Sequence, residues 1–151
     1  GAIGAWLGGR MDVRFGSKTV VAVCILLLIL ASVLTVSTDR SHILWIVVAE
    51  GGVHSRLPDY LFYFCGGLIG AAGGALQASS RTLMVDQAEP DRMGEAFGLY
   101  ALSGRATSFI APIAIALVTS IFASQRVGVS PVIFLFVISL ILLPKVRSRL
   151  A

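Results

Sequence analysis

"TVVAVCILLLILASVLTV", residues 19–36, decides what kind of molecule this is. Only small hydroxyls and one thiol interrupt the apolar run. A bilayer core takes roughly 20 residues of helix, with about 17 as the practical minimum. Lys18 stands immediately before the run, and Asp39 and Arg40 follow it closely. Those charges mark the two interfaces of a membrane span.

The rest of the chain obeys the same solvent. Of its 151 residues, 56% are hydrophobic and 13% charged, and the mean hydropathy is +0.89. Soluble domains carry about 25% charged residues, and 13% would cover a water-facing surface poorly. The charges also fall in blocks between apolar stretches. The class is therefore an integral, multi-pass membrane protein with an all-α fold. The net charge of +4 comes from basic residues gathered at membrane edges. Aromatic and basic residues do not interleave as on a base-stacking surface, so no nucleic-acid partner is expected. Cys24 and Cys65 lie inside apolar runs and read as reduced small residues, with neither a disulfide nor a metal.

Four spans are expected at about 19–36, 60–78, 97–123 and 127–143, preceded by a truncated helix end at 1–9. The opening "GAIGAWLGG" is apolar but too short to cross. It reads as the last turns of a helix, and the chain as the C-terminal piece of a longer protein. Between the first two spans, Ile43–Ala49 is also too short. That segment is expected to be an extracytoplasmic loop anchored by Trp45, with His42 and His54 solvated rather than metal-binding. Arg10, Arg14, Lys18, Arg81, Arg92, Lys145, Arg147 and Arg149 would share one side, against Arg40, Arg56 and Arg126 on the other. Eight against three places the first group in the cytoplasm.

Three features stand out against this background. Gly66, Gly70 and Gly74 stand four apart, extended by Ala78 and widened by Gly67 and Gly73. On a helix they form a groove that another backbone can enter, as tight packing or as a surface for rocking. "GGRMDVRFGSK", Gly8 to Lys18, reads as a tight charged loop. In it Gly8 and Gly9 release the first helix, Asp12 caps or pairs locally, Gly16 turns, and Arg14 and Lys18 reach acidic groups or lipid phosphates. Finally, Arg105 stands two to three turns past Glu95, where a helix enters the bilayer. A guanidinium at the bilayer centre costs from about 2.5 to above 10 kcal/mol. It is therefore either an interfacial Arg that snorkels or a gate facing the acidic Asp86–Asp91 loop or a substrate carboxylate. Gln77, Ser79, Ser80, Tyr100, Ser103 and Thr107 are the other polar groups of this region, able to line a path or to bond between helices.

Gly9, Met11, Arg14, Gly16 and Lys18 fit a pattern of roughly Gly-x-Leu-Ala-Asp-Arg-x-Gly-Arg-Lys. This resembles the loop signature of the major facilitator superfamily. The pattern's Asp falls on Val13, with Asp12 one place early, and Ser17 replaces a basic residue. A second stretch is similar to the vacuole-effluxer branch of that superfamily, which holds autophagy-related amino-acid permeases of fungi and bacterial transporters. Its residues here are Gln77, Ala78, Ser80, Arg81, Pro90, Glu95, Phe97, Gly98, Tyr100, Ser103, Gly104 and Arg105, with Ala96 in place of an aromatic.

The resemblance implies the end of helix eight through helix twelve of a twelve-helix transporter. It implies secondary transport of a small solute, such as an amino acid, by alternating access. Gln77, Ser80, Arg81, Glu95, Tyr100, Ser103 and Arg105 become path or gate candidates. The implied partners are the solute, the lipid bilayer and the missing N-terminal half of the same transporter. The implied location is the inner membrane of a bacterial cell, or the vacuolar membrane in a eukaryote. No phosphate-binding loop, zinc spacing or nucleophile elbow occurs in this sequence, so no cofactor and no enzymatic chemistry are expected. The competing class is a stand-alone four-span scaffold that transports nothing.

Overall fold

A computed structural model describes residues 1–37, 42–43, 46–47, 57–123 and 125–146. Trp45 and His54 lie outside the described residues. Helix α1 spans Ala2–Phe15, α2 Ser17–Ser37, α3 Leu57–Gln87, α4 Met93–Thr107, α5 Ile110–Phe122, α6 Gln125–Gly128 and α7 Ser130–Leu142. Short 3-10 turns cover Pro90–Arg92 and Leu143–Lys145. Between α2 and α3 the strands His42–Ile43 and Ile46–Val47 pair antiparallel. Helices suit a bilayer because they satisfy their backbone groups internally. Ser17–Ser37, Asp59–Gln87 and Pro90–Phe122 are each long and apolar enough to cross one, and Ser130–Lys145 is a shorter apolar stretch.

Helix α3 lies at the centre, packed chiefly on α2 and α1, while α7 covers the other flank of α2. The buried face of α2 follows helical spacing through Val21, Cys24, Ile25, Leu28, Ala31 and Ser32. Leu26 and Leu30 point away from it and are exposed. Val21, Ile25, Leu83 and Leu143 form the main apolar cluster, flanked by Leu76, Phe136 and Leu140. In lipid such a cluster is held by dispersion contacts rather than by exclusion from water.

Helix α1 does not end at its glycine pair. It continues to Phe15, so most of the expected loop is helix. The reason is tertiary. Gly4, Gly8 and Asp12 form the buried stripe of α1, and the stripe faces Ala71, Ala75 and Ser79 of α3 in the same order. A Cβ on Gly4 would run into the Ala71 backbone, and one on Gly8 would sit 2.9 Å from the Ala75 Cα. The stripe ends where the Ser79 hydroxyl donates to Asp12 Oδ1 at 2.7 Å. Two parallel helices therefore meet at every turn with one constant offset. Glycine costs about 1 kcal/mol in a helix relative to alanine, and here it permits close backbone contact instead.

The described chain reaches the later end of the glycine groove expected on α3. Gly74 abuts the Gly1 backbone, and a Cβ on Gly70 would come 4.0 Å from the Gly1 nitrogen. A Cβ on Gly66, Gly67 or Gly73 would meet nothing within 4 Å. The described part of α1 runs along α3 from Gly70–Gly74 to Ser79, and Gly66 and Gly67 lie before that stretch.

Gly16 is the whole connection between α1 and α2. Its φ of +80° and ψ of 142° belong to a region that side-chain-bearing residues avoid, at a cost of about 1–3 kcal/mol. Its amide donates to the Asp12 carbonyl at 2.9 Å. Gly16→Ala is therefore expected to lower the unfolding free energy of the full-length protein by about 1–3 kcal/mol. A detergent-solubilised thermal melt checks this; an unchanged midpoint would mean that the turn has no such strain.

The stretch expected as one span from 97 to 123 is two helices. Helix α4 stops at Thr107 and α5 begins at Ile110. Pro112 lacks the amide that would bond the Ser108 carbonyl, and its ring crowds that carbonyl. Around the break, side chains bond back to the chain instead. The Ser108 hydroxyl donates to the Arg105 carbonyl at 2.8 Å and the Thr107 hydroxyl to the Ser103 carbonyl at 2.8 Å. No residue of α4 or α5 is buried.

Candidate functional site

The charged ends of the helices gather at one end of the bundle. Lys18 Nζ donates to the carbonyls of Pro144, at 3.1 Å, and Val146, at 2.7 Å. The sequence suggests acidic groups or lipid phosphates for Lys18, and its partners among the described residues are these two carbonyls. Lys18 ties down the 3-10 turn that follows α7, near a helix C-terminus whose partial negative charge suits a cation. The Ser17 hydroxyl points to Asp86 at 3.4 Å. Asp12, expected to act locally, is instead buried against Ser79, a partner 67 residues away. Its Oδ2 has no hydrogen-bond partner among the described residues. Gly9 and Arg14 line the outer, exposed side of α1 with Trp6 and Arg10, where the Arg10 guanidinium lies 4.3 Å from the centre of the Trp6 ring. The motif residues thus split between a buried stripe, a turn, a tie to the segment after α7 and an open face.

The polar groups of α3 and α4 do come together. Arg81, Phe97, Tyr100, Ser103 and Arg105, with Ala101 and Gly104, line one cleft of about 570 Å³. On α4 the spacing Phe97, Tyr100, Ala101, Gly104 puts one helical face toward α3. Ser80 Oγ and Tyr100 Oη share a hydrogen bond of 2.8 Å and join the two helices. Arg81 also lines a smaller adjoining cleft with Gln77 and Gly74.

Glu95 stands apart from this cleft. It accepts from Arg92 Nε at 2.9 Å on an exposed turn. Ten residues of helix separate it from Arg105, about 15 Å of rise, so the two cannot pair. Nor does Arg105 pair with the Asp86–Asp91 segment: Arg92–Glu95 is the one salt bridge among the described residues. Arg105 and Arg81, both exposed, instead share the same space. Phe97 and Gly104 as lining residues follow from the turn-by-turn spacing with Tyr100. The Ser79–Asp12 contact had no such signal in the sequence. Among the described residues no three His, Cys, Asp or Glu converge as for a metal.

A site of this kind offers contacts that can hold a small molecule. The cleft falls within the usual size of a ligand pocket, roughly 300–1,000 Å³. It offers two permanent cations, two hydroxyls and an aromatic face, with no nucleophile–base pair. No curated protein and no solved structure matches the chain. The family described as "Vacuole effluxer Atg22 like" matches residues 1–149. With its several membrane-length apolar helices, the chain is an all-α, multi-pass membrane protein that belongs to this transporter-like effluxer family, which is not an enzyme class.

Proposed function

We propose that the chain is the C-terminal half of a secondary transporter that moves a small polar solute by alternating access. The amino-acid class is the one the family resemblance favours. The observation that carries the reading is the cleft between α3 and α4, where Arg81, Tyr100, Ser103 and Arg105 gather beside a broken helix. Interrupted helices and polar side chains at membrane depth are tolerated where they line a water-filled path. The missing half would supply the opposing wall. The end of the bundle that carries Lys18, Asp86 and Lys145 faces the cytoplasm on this reading, which the excess of Lys and Arg there supports.

The test is solute flux by the full-length protein in vesicles, using a mixture of amino acids. Arg105→Gln, with insertion checked in parallel, is expected to reduce flux about tenfold, the loss of one charged hydrogen-bonding contact. Wild-type flux in that variant would leave Arg105 as a snorkelling anchor. No flux by the unaltered protein would sink the transport reading altogether.

A further inference from the structure

We propose that Arg81 and Arg105 together form a binding site for one anionic group, the carboxylate of a small solute. The inference rests on the transport reading and names the chemistry of its ligand. A guanidinium cannot discharge itself in a protein and presents five donors in a planar fork. Two of them line one cleft. Both are exposed, so their charge is open to an anionic partner. The described carboxylates do not provide it. Glu95 is taken by Arg92, Asp86 faces Ser17, and Asp12 is buried with Ser79. Asp59 stands at the opposite end of α3. Glu89 and Asp91 lie beyond the end of α3, outside the lining.

What remains in the cleft fits a carboxylate that carries a small body. The forks can grip two oxygens of one planar group. The Ser103 hydroxyl donates to the Tyr100 carbonyl at 2.9 Å, while Phe97 and Gly104 leave an apolar surface and room. The Tyr100 hydroxyl is already held by Ser80, so the ring is fixed in place as a wall. A lipid phosphate would match the guanidiniums equally well. The aromatic wall beside the two forks favours a small molecule with a body of its own, and the experiment separates the two sources.

The full-length protein is placed in vesicles of phosphatidylcholine alone and treated with phenylglyoxal, which modifies free guanidiniums. Modification of Arg81, Arg105 and Arg14 is read by peptide mass spectrometry. The probes are an equimolar mixture of the common amino acids and the same mixture with each α-carboxylate converted to an amide. The acids are expected to slow modification of Arg81 and Arg105 about tenfold, with no effect at Arg14 and none from the amides. Equal rates with acids and amides would overturn the proposal, as would resistance to the reagent without any probe, the sign of an acidic partner in the other half of the protein. Protection that arises only when phosphatidylglycerol is added to the vesicles would give the site to lipid and overturn it too. Flux distinguishes the two readings: vesicles that carry amides as well as acids keep the transporter and lose the carboxylate site.

Discussion

Gly8→Leu is expected to abolish folding of the bundle, with loss of most membrane-inserted protein. Its Cβ alone would come within 2.9 Å of the Ala75 Cα, and the obstacle is backbone, which no rotamer change can clear. Forcing extra atoms into a filled contact costs about 1–3 kcal/mol even where side chains can yield. Here α1 and α3 would have to separate along their whole shared face, exposing Gly4, Asp12 and Ser79 as well. Gly9→Leu provides the comparison, since on the outer side of the same helix a Cβ meets nothing within 4 Å. The measurement is the yield of monodisperse full-length protein after mild detergent extraction. Equal yields for the two variants would mean that α1 and α3 do not touch as described.

Ser79→Ala is the second large effect. The Ser79 hydroxyl is fully buried and donates to a carboxylate that is itself buried. Removing it leaves Asp12 with no donor among the described residues at either oxygen. A hydrogen bond to a charged group contributes about 1.5–3 kcal/mol, and the orphaned partner keeps its desolvation cost. A drop in unfolding free energy of about 2–3 kcal/mol is expected. Adding Asp12→Leu to Ser79→Ala should recover much of it, because both polar partners are then gone. A double-mutant cycle by chemical denaturation in detergent reads the coupling. A silent Ser79→Ala would show that Asp12 takes its hydrogen bonds elsewhere.

The pair also sets the register of the two helices. Glycines and alanines repeated every four residues give no reason to prefer one alignment over another a turn away. Shifting α1 forward by one turn would bring Asp12 onto Leu83, and shifting it back would bring it onto Ala75. Either slip leaves a carboxylate against an apolar side chain, so one polar contact at the end of the stripe makes a single alignment stable.

The bilayer class was legible in residues 19–36 because an apolar run of that length has one common use. What the sequence hid was contact between distant segments. Gly8 and Gly9 look like a helix end because glycine is a poor helix former on its own. Only the approach of Ala75, 67 residues later, turns Gly8 into an asset. Conversely, Gly66 and Gly67 look like a packing surface and face open space in the described chain. The helix break at Ser108 has its cause in Pro112, yet the apolar run from Phe109 onward reads as one continuous span. For the candidate site, each polar residue was visible along the chain. Glu95 and Arg105 are parted along one helix, and only α3 and α4 placed side by side bring Arg105 and Arg81 to one cleft.

Lys18 adds a temporal dimension. It stands at the start of the first complete span, yet the carbonyls it binds belong to residues made 126 and 128 positions later. Throughout synthesis and insertion its ammonium must be served by water and lipid headgroups at the membrane edge. Helix α7 therefore does more than cover a flank when it arrives: the turn that follows it takes over Lys18 from those temporary partners. Ribosome stalling before Pro144 would leave α2 inserted with this contact not yet made.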